Sequence, residues 1–341
     1  MNSRERVLLA FAHKEADRAP VWCGSSPEFI EKAKKALHLN DEESVYQRFG
    51  DDFRRVYAKY DVSTHNQSIF GITRHGYAYG LAVNHPLSDA TLEEIHNYPW
   101  PNPAFTSTIN IRKDAARWLG EYAILGGDWS AFWHDAIDLM GMENLMIKMY
   151  EEPTLVHAIM AHIVDYYYNV NKIIFDEVGD IIDIFFIGND FGTQNGPLLG
   201  VELFNLFIVP HLKRLADLGH EYNLKVMLHC CGGIEPLIPS LIDAGIDALQ
   251  ALQPDALGMD PFMLKKKYGN KIVFNGCIDS HHALIKGTAE HTKEVTENVI
   301  DIMKHGGGFI VSPSHDYLLE ETSVGNVLVM YDTARSYGKY S

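Results

Sequence analysis

Short apolar runs recur through the last two thirds of this 341-residue chain, and each gives way to a glycine, carboxylate, amide or histidine. Ala123-Ile124-Leu125 leads into Gly126-Gly127-Asp128, and Ile184-Phe185-Phe186-Ile187 into Gly188-Asn189-Asp190. Val226-Met227-Leu228 leads into His229-Cys230-Cys231-Gly232-Gly233, and Ala248 through Leu252 ends at Gln253. Lys271-Ile272-Val273-Phe274 precedes Asn275-Gly276-Cys277-Ile278-Asp279, and Phe309-Ile310-Val311 precedes Ser312-Pro313-Ser314-His315. Helical patterns lie between these runs. After Pro153, apolar residues fall at Leu155, Ile159, Ile163, Tyr167, Val170 and Ile174, with a stop near Gly179. Segments 203–218, 234–244 and 289–304 also read as helices. Short strands alternating with helices predict a parallel sheet with crossover helices. At least six strand ends with polar residues favour an α/β fold of the (β/α)8 TIM barrel type, whose chemistry gathers at the C-terminal ends of its strands. A doubly wound sheet calls for a Gly-rich phosphate loop after an early strand, and no G-x-G-x-x-G segment is present.

The first hundred residues read as mostly helical. Ser3 is placed to cap a helix through Val7-Leu8-Leu9-Ala10-Phe11, and a short apolar run, Val21-Trp22-Cys23, follows Pro20. The Pro-rich patch at 98–103 marks a loop. No linker, repeat or low-complexity segment divides the chain. One barrel domain over 1–341 is expected, with N-terminal helical additions inside residues 1–110.

The net charge of −16 argues against nucleic acid or an anionic membrane as partner. No stretch has the length and apolarity of a membrane span, and the N-terminus lacks the apolar core of a signal peptide. Four cysteines, two of them adjacent, make a poor disulfide framework. A reducing cytoplasm is therefore expected, where Cys/His pairs more often mean metal or catalysis.

The period of two along a strand points His229 and Cys231 the same way and Cys230 the opposite way. An imidazole and a thiolate at one strand end are a start on a metal site, and Gly232-Gly233 lets the backbone turn closely beneath it. In a barrel, His315 reaches the same mouth and is the candidate third ligand. Thiolate and imidazole donors with an open fourth position suit Zn2+. Asp128, Asp190 and Asp279 also end strands, either as partners of imidazole and handlers of protons or as caps of the following helices. Asn189, Gln194 and Gln253 either contact substrate or satisfy loop backbone. Trp129, with Phe132 and Trp133, either covers an aromatic substrate or packs a cap over the barrel, and Cys277 is a candidate pocket wall.

Three segments together resemble the uroporphyrinogen decarboxylase superfamily: 225–232, 274–279 and 306–315. The opening Ser3-Arg4-Glu5-Arg6-Val7, the run Asp17-Arg18-Ala19-Pro20-Val21 and the run Asn189-Asp190-Phe191-Gly192-Thr193-Gln194 fit as well, so the likeness covers essentially the whole chain. It is greatest to the branch of decarboxylase-like proteins and corrinoid-dependent methyltransferases. The resemblance implies a (β/α)8 barrel. True decarboxylases of this kind carry an Arg-rich Gly-Arg-Tyr segment after the first strand to hold a substrate with many carboxylates. Here that place reads Trp22-Cys23-Gly24-Ser25-Ser26-Pro27-Glu28, without an arginine. The methyltransferase branch uses zinc on His-x-Cys plus a later Cys. His229 and Cys231 match the first two, and His315 stands where the later Cys belongs. One thiolate and two imidazoles leave zinc a formal charge of +1 and make it a stronger Lewis acid.

The resemblance therefore implies a zinc-dependent methyltransferase acting between a small methylated molecule, as methyl donor or acceptor, and a corrinoid (cobalamin) protein. An aromatic methyl ether is the favoured small molecule. No Asp-x-His-x-x-Gly motif is present, so the corrinoid is expected on a partner protein. The alternatives are a decarboxylase and a non-catalytic tetrapyrrole or corrinoid carrier. A homodimer is compatible with this reading.

Overall fold

The computed structural model describes residues 1–60, 68–76 and 80–340. Seven parallel strands form one curled sheet in chain order. They are β1 (Phe53–Arg55), β2 (Ala123–Gly126), β3 (Ile184–Gly188), β4 (Lys225–His229), β5 (Ala248–Leu252), β6 (Val273–Ile278) and β7 (Phe309–Pro313). Residues 20–22 take the eighth position. The Val311 N–H donates to the Pro20 carbonyl at 2.8 Å, and the Trp22 N–H donates to the Val311 carbonyl at 3.0 Å. On the other side, the Asp52 N–H donates to the Val21 carbonyl at 3.0 Å. Residues 20–22 thus join β7 to β1 and close a (β/α)8 barrel, as the strand–helix alternation predicts.

A buried charge lies at this seam. The fully buried Asp52 carboxylate accepts from the Val21 N–H at 2.8 Å, from Arg6 at 2.7 Å and from Arg18 at 2.8 and 3.0 Å. A carboxylate is tolerated in such a place only when paired and hydrogen-bonded.

The period of two sorts the strand residues. Phe53, Leu125, Phe186, Met227, Val273 and Ile310 fill the barrel, whereas Val226, Leu228, Leu249, Phe274 and Val311 belong to the larger apolar cluster shared with the helices. Two residues beyond the interior ones, the inward positions become polar: Arg55, His229, Gln250, Asn275 and Ser312. The floor of the mouth is tied by Ser312 Oγ, which donates to Asn275 Oδ1 at 2.6 Å.

β1 falls within the region read as mostly helical. It is three residues long and two of them are arginines, so no apolar run announces it. Asn2, not Ser3, caps the first helix, Ser3–Phe11, through a reciprocal box with Glu5. The helix expected over 203–218 is two, Val201–Phe207 and Val209–Glu221, with Pro210 in the first turn of the second. Among the described residues no helix is long and apolar enough to cross a membrane.

Candidate active site at the barrel mouth

β4 delivers His229 to the mouth, and alternation brings Cys231 to the same side. His229 Nε2 lies 3.5 Å from Cys231 Sγ and 3.4 Å from Asp190 Oδ1. These three side chains each place a donor atom within 4.8 Å of the others. Cys230 faces away as alternation requires. It is buried, and its sulfur accepts the Phe191 N–H at 3.3 Å.

Neighbouring groups fix the cluster. His229 Nδ1 lies 2.7 Å from Gln250 Oε1. An amide oxygen only accepts, so Nδ1 carries the proton of that bond and Nε2 faces Asp190 and Cys231. Asp190 Oδ1 accepts the Cys231 N–H at 2.7 Å, and Gln253 Oε1 accepts the Gly232 N–H at 2.9 Å. Gly232 has φ +89°, and a Cβ there would sit 2.5 Å from the Gly192 carbonyl carbon. Only glycine permits this turn beneath the cluster.

Opposed charges dominate the electrostatics. Burial alone would lower the pKa of His229, but Asp316, Cys231 and Asp190 hold it well above its ordinary value. Burial alone would raise that of Asp190, yet the imidazoles of His134 and His229 beside it and the hydrogen bond from the Cys231 N–H keep it well below the usual carboxylate range. Each group stabilises the charged form of the other.

His315 does not join this cluster. Its Nδ1 lies 3.0 Å from the Tyr317 carbonyl oxygen and 3.2 Å from the Tyr317 nitrogen. It lines a separate cleft of about 450 Å3 together with Gln194, Gln253 and Asp279. The next residue, Asp316, faces the imidazole instead, with Oδ1 3.9 Å from His229 Nδ1.

The remaining sequence candidates fall into distinct places. Asp279 accepts the His281 and His282 N–H groups, both at 2.8 Å, so it caps the turn that follows β6. Asn189 is fully buried and bridges the Trp133 N–H (2.9 Å) and the Ser130 carbonyl (3.1 Å), which ties down the loop after β2. Gln194 is exposed, 3.5 Å from Gln253. Asp128 accepts from the Tyr60 hydroxyl and the Ser130 N–H, and burial raises its pKa. Cys277 is buried in the larger apolar cluster with φ +72°, and burial pushes its thiol up to about 12. Trp129 lies directly over Gly188, where a Cβ would come within 1.9 Å of the indole. Its ring centroid is 5.4 Å from that of His229. Phe132 and Trp133 are fully buried.

The sequence reading passes over Arg55, Asp316 and Tyr317, which border a cleft of about 570 Å3 beside the cluster. Asp316 directly follows the candidate His315 in sequence. Arg55 carries a signal only once β1 is known to be a barrel strand.

The uroporphyrinogen decarboxylase (URO-D) family matches over residues 81–337. Among solved structures, a methyltransferase from Methanosarcina mazei aligns over 99% of this chain and 99% of its own, with TM-score 0.74 and 16% identity. At that identity the likeness shows the fold alone. A D-psicose 3-epimerase determined in the presence of D-fructose aligns over 86% of this chain and 89% of its own at 11% identity, with a TM-score of only 0.38. No curated protein sequence matches.

Proposed function

The chain belongs to the uroporphyrinogen decarboxylase family, and from that premise we propose a zinc-dependent methyltransferase. It moves a methyl group between a small methylated substrate, best an aromatic methyl ether, and a corrinoid carried by a separate protein. One observation carries this reading: the spacing of the donor atoms. Tetrahedral zinc, with bonds of about 2.05 Å to nitrogen or oxygen and about 2.3 Å to sulfur, sets its ligands about 3.4 Å apart for N and O and about 3.5 Å apart for N and S. His229 Nε2 stands 3.4 Å from Asp190 Oδ1 and 3.5 Å from Cys231 Sγ. Three protein donors with a fourth position open is the arrangement of catalytic zinc.

Asp190 thus replaces His315 as the third donor. Thiolate, carboxylate and neutral imidazole formally cancel the charge of the ion, where the set with His315 leaves +1. Bound zinc would supply a Lewis acid for a substrate oxygen, weaker than the set with His315 would give, so the aromatic ether is favoured by the ring of Trp129 and not by the charge of the ion. The protein's own residues do the positioning. Gln250 orients the imidazole, and Asp190 and Gln253 hold the turn at Cys231-Gly232. Trp129 offers an aromatic face beside His229, suited to an aromatic ring. Four free cysteines accord with a reducing cytoplasm.

The test is metal analysis of the purified protein, followed by a screen of methoxylated aromatics and methylamines with a Co(I) corrinoid protein. Stoichiometric zinc and methyl transfer are expected. Zinc-replete protein that transfers no methyl group in either direction would refute the activity. A second reading, decarboxylation of a small carboxylic acid, is favoured by the arginine at the mouth. Release of CO2 by metal-free protein would select it.

A further inference from the structure

Arg55 ends β1, two residues beyond Phe53 of the barrel interior, so it points into the mouth. Its guanidinium carbon lies 4.8 Å from the Tyr57 ring centroid, 5.0 Å from that of Phe186 and 5.2 Å from that of Trp129. Among the described residues it makes no hydrogen bond and no ion pair, and its Nε is buried without a partner. The other arginines nearby differ. Arg54 is committed to Glu43, and Arg6 and Arg18 to Asp52. Buried donors are nearly always paired in native proteins. Thr106, Trp133, Gln250 and Arg335 also carry a buried side-chain atom without a partner, but of these residues only Arg55 borders the cleft of about 570 Å3, with Tyr57, Asp316 and Tyr317.

We propose that Arg55 receives a carboxylate of the substrate. Stacking on aromatic faces fixes the plane of the guanidinium and leaves its N–H edges free. Those edges match the two oxygens of a carboxylate in a paired, charge-assisted contact. Asp128 lies within the electrostatic reach of Arg55, but that carboxylate bonds to Tyr60 and Ser130, so the N–H edges stay open to a ligand. Trp129 connects the two halves of the site, because its ring touches both Arg55 and His229. The substrate is then a small carboxylic acid with an aromatic or flat body, anchored at Arg55 with its reacting end toward Asp190, His229 and Cys231. This rests on reading the mouth as the active site, and not on zinc or on methyl transfer.

The experiment uses unreactive probes and full-length protein stripped of metal, so failure of the methyltransferase reading leaves it intact. Binding of benzoate, its neutral isostere benzamide and inorganic phosphate is followed by tryptophan fluorescence and calorimetry. Benzoate is expected to bind at least about tenfold tighter than benzamide, the strength of one charge-assisted contact. Its affinity should fall as salt rises. Arg55→Gln should abolish the preference, and Arg55→Lys should keep only part of it, with the melting temperature as a check on folding. If Arg55→Gln does not fold, Arg55→Lys reads the same preference. Equal binding of benzoate and benzamide overturns the proposal. So does absence of benzoate binding, tighter binding of phosphate, or an unchanged preference in the folded variants.

Discussion

Asp190→Asn separates the two candidate ligand sets. The substitution keeps the size of the side chain and an oxygen for the Cys231 N–H, but removes the negative charge that faces His229 at 3.4 Å. Loss of a group that merely orients a metal ligand costs about 10–100-fold in affinity. A direct ligand that also carries charge should cost at least the upper figure, about 100-fold or ~2.8 kcal/mol. His315 bonds to the Tyr317 backbone rather than to the cluster, so His315→Ala should leave affinity within about twofold, well under 1 kcal/mol. Zinc affinity is read by competition against a chromogenic chelator near neutral pH, with thermal melts of the metal-free variants alongside. Cobalt(II) substitution adds a visible spectrum that reports tetrahedral thiolate coordination. Zinc binding by Asp190→Asn equal to that of wild type, or a loss of affinity in His315→Ala on the scale expected for Asp190, would refute Asp190 as the third ligand.

Three further outcomes follow from the packing. Gly188→Ala should unseat Trp129, because the new methyl would meet the indole at 1.9 Å; a loss of about 1–3 kcal/mol and an altered tryptophan emission are expected, and unchanged emission would contradict it. Asp52→Ala leaves Arg6 and Arg18 without their buried counter-ion and the Val21 N–H without its acceptor. Urea unfolding should show a loss of about 3–5 kcal/mol, and a loss under about 1 kcal/mol would contradict the role given to the seam. Asp51→Asn should change the pH dependence of stability. Burial pushes the Asp51 carboxyl up to about 8 against the pull of Arg54. Between about pH 4 and about 8 the folded protein holds a proton that the unfolded chain has released, so the wild type loses stability from this group as pH rises. Asparagine binds no such proton, and thermal melts across that window should show a flatter slope.

Most barrel strands were legible because each joins an apolar run to a polar end. β1 was not, since Phe53-Arg54-Arg55 after Asp51-Asp52 reads as a charged loop. The cause is long-range. Arg54 belongs in its buried position because Glu43, on the helix Glu42–Phe49, pairs with it. Missing that strand also concealed Arg55 and left the mouth looking poorer in positive charge than it is. The shared direction of His229 and Cys231 was legible from strand alternation alone. The third group was not, because beyond a strand end the loop backbone decides direction. Asp190 and Asp316 face the imidazole, whereas His315 bonds to the backbone of Tyr317. Residue type ranked His315 as the better zinc ligand and could not show where it pointed.

The seam at residues 20–22 bears on how the protein is made. Its partners come from opposite ends of the chain; the Tyr331 hydroxyl bonds to the Trp22 carbonyl across 309 positions. A nascent chain can therefore assemble an open curved sheet but cannot shut it until β7 has emerged from the ribosome. During that interval both lateral edges present unpaired backbone, the condition under which chains associate with one another. A product terminated before residue 309 would not be a smaller enzyme. It would keep His229, Cys231 and Asp190 but lack the last stave, and its natural fate would be aggregation or degradation.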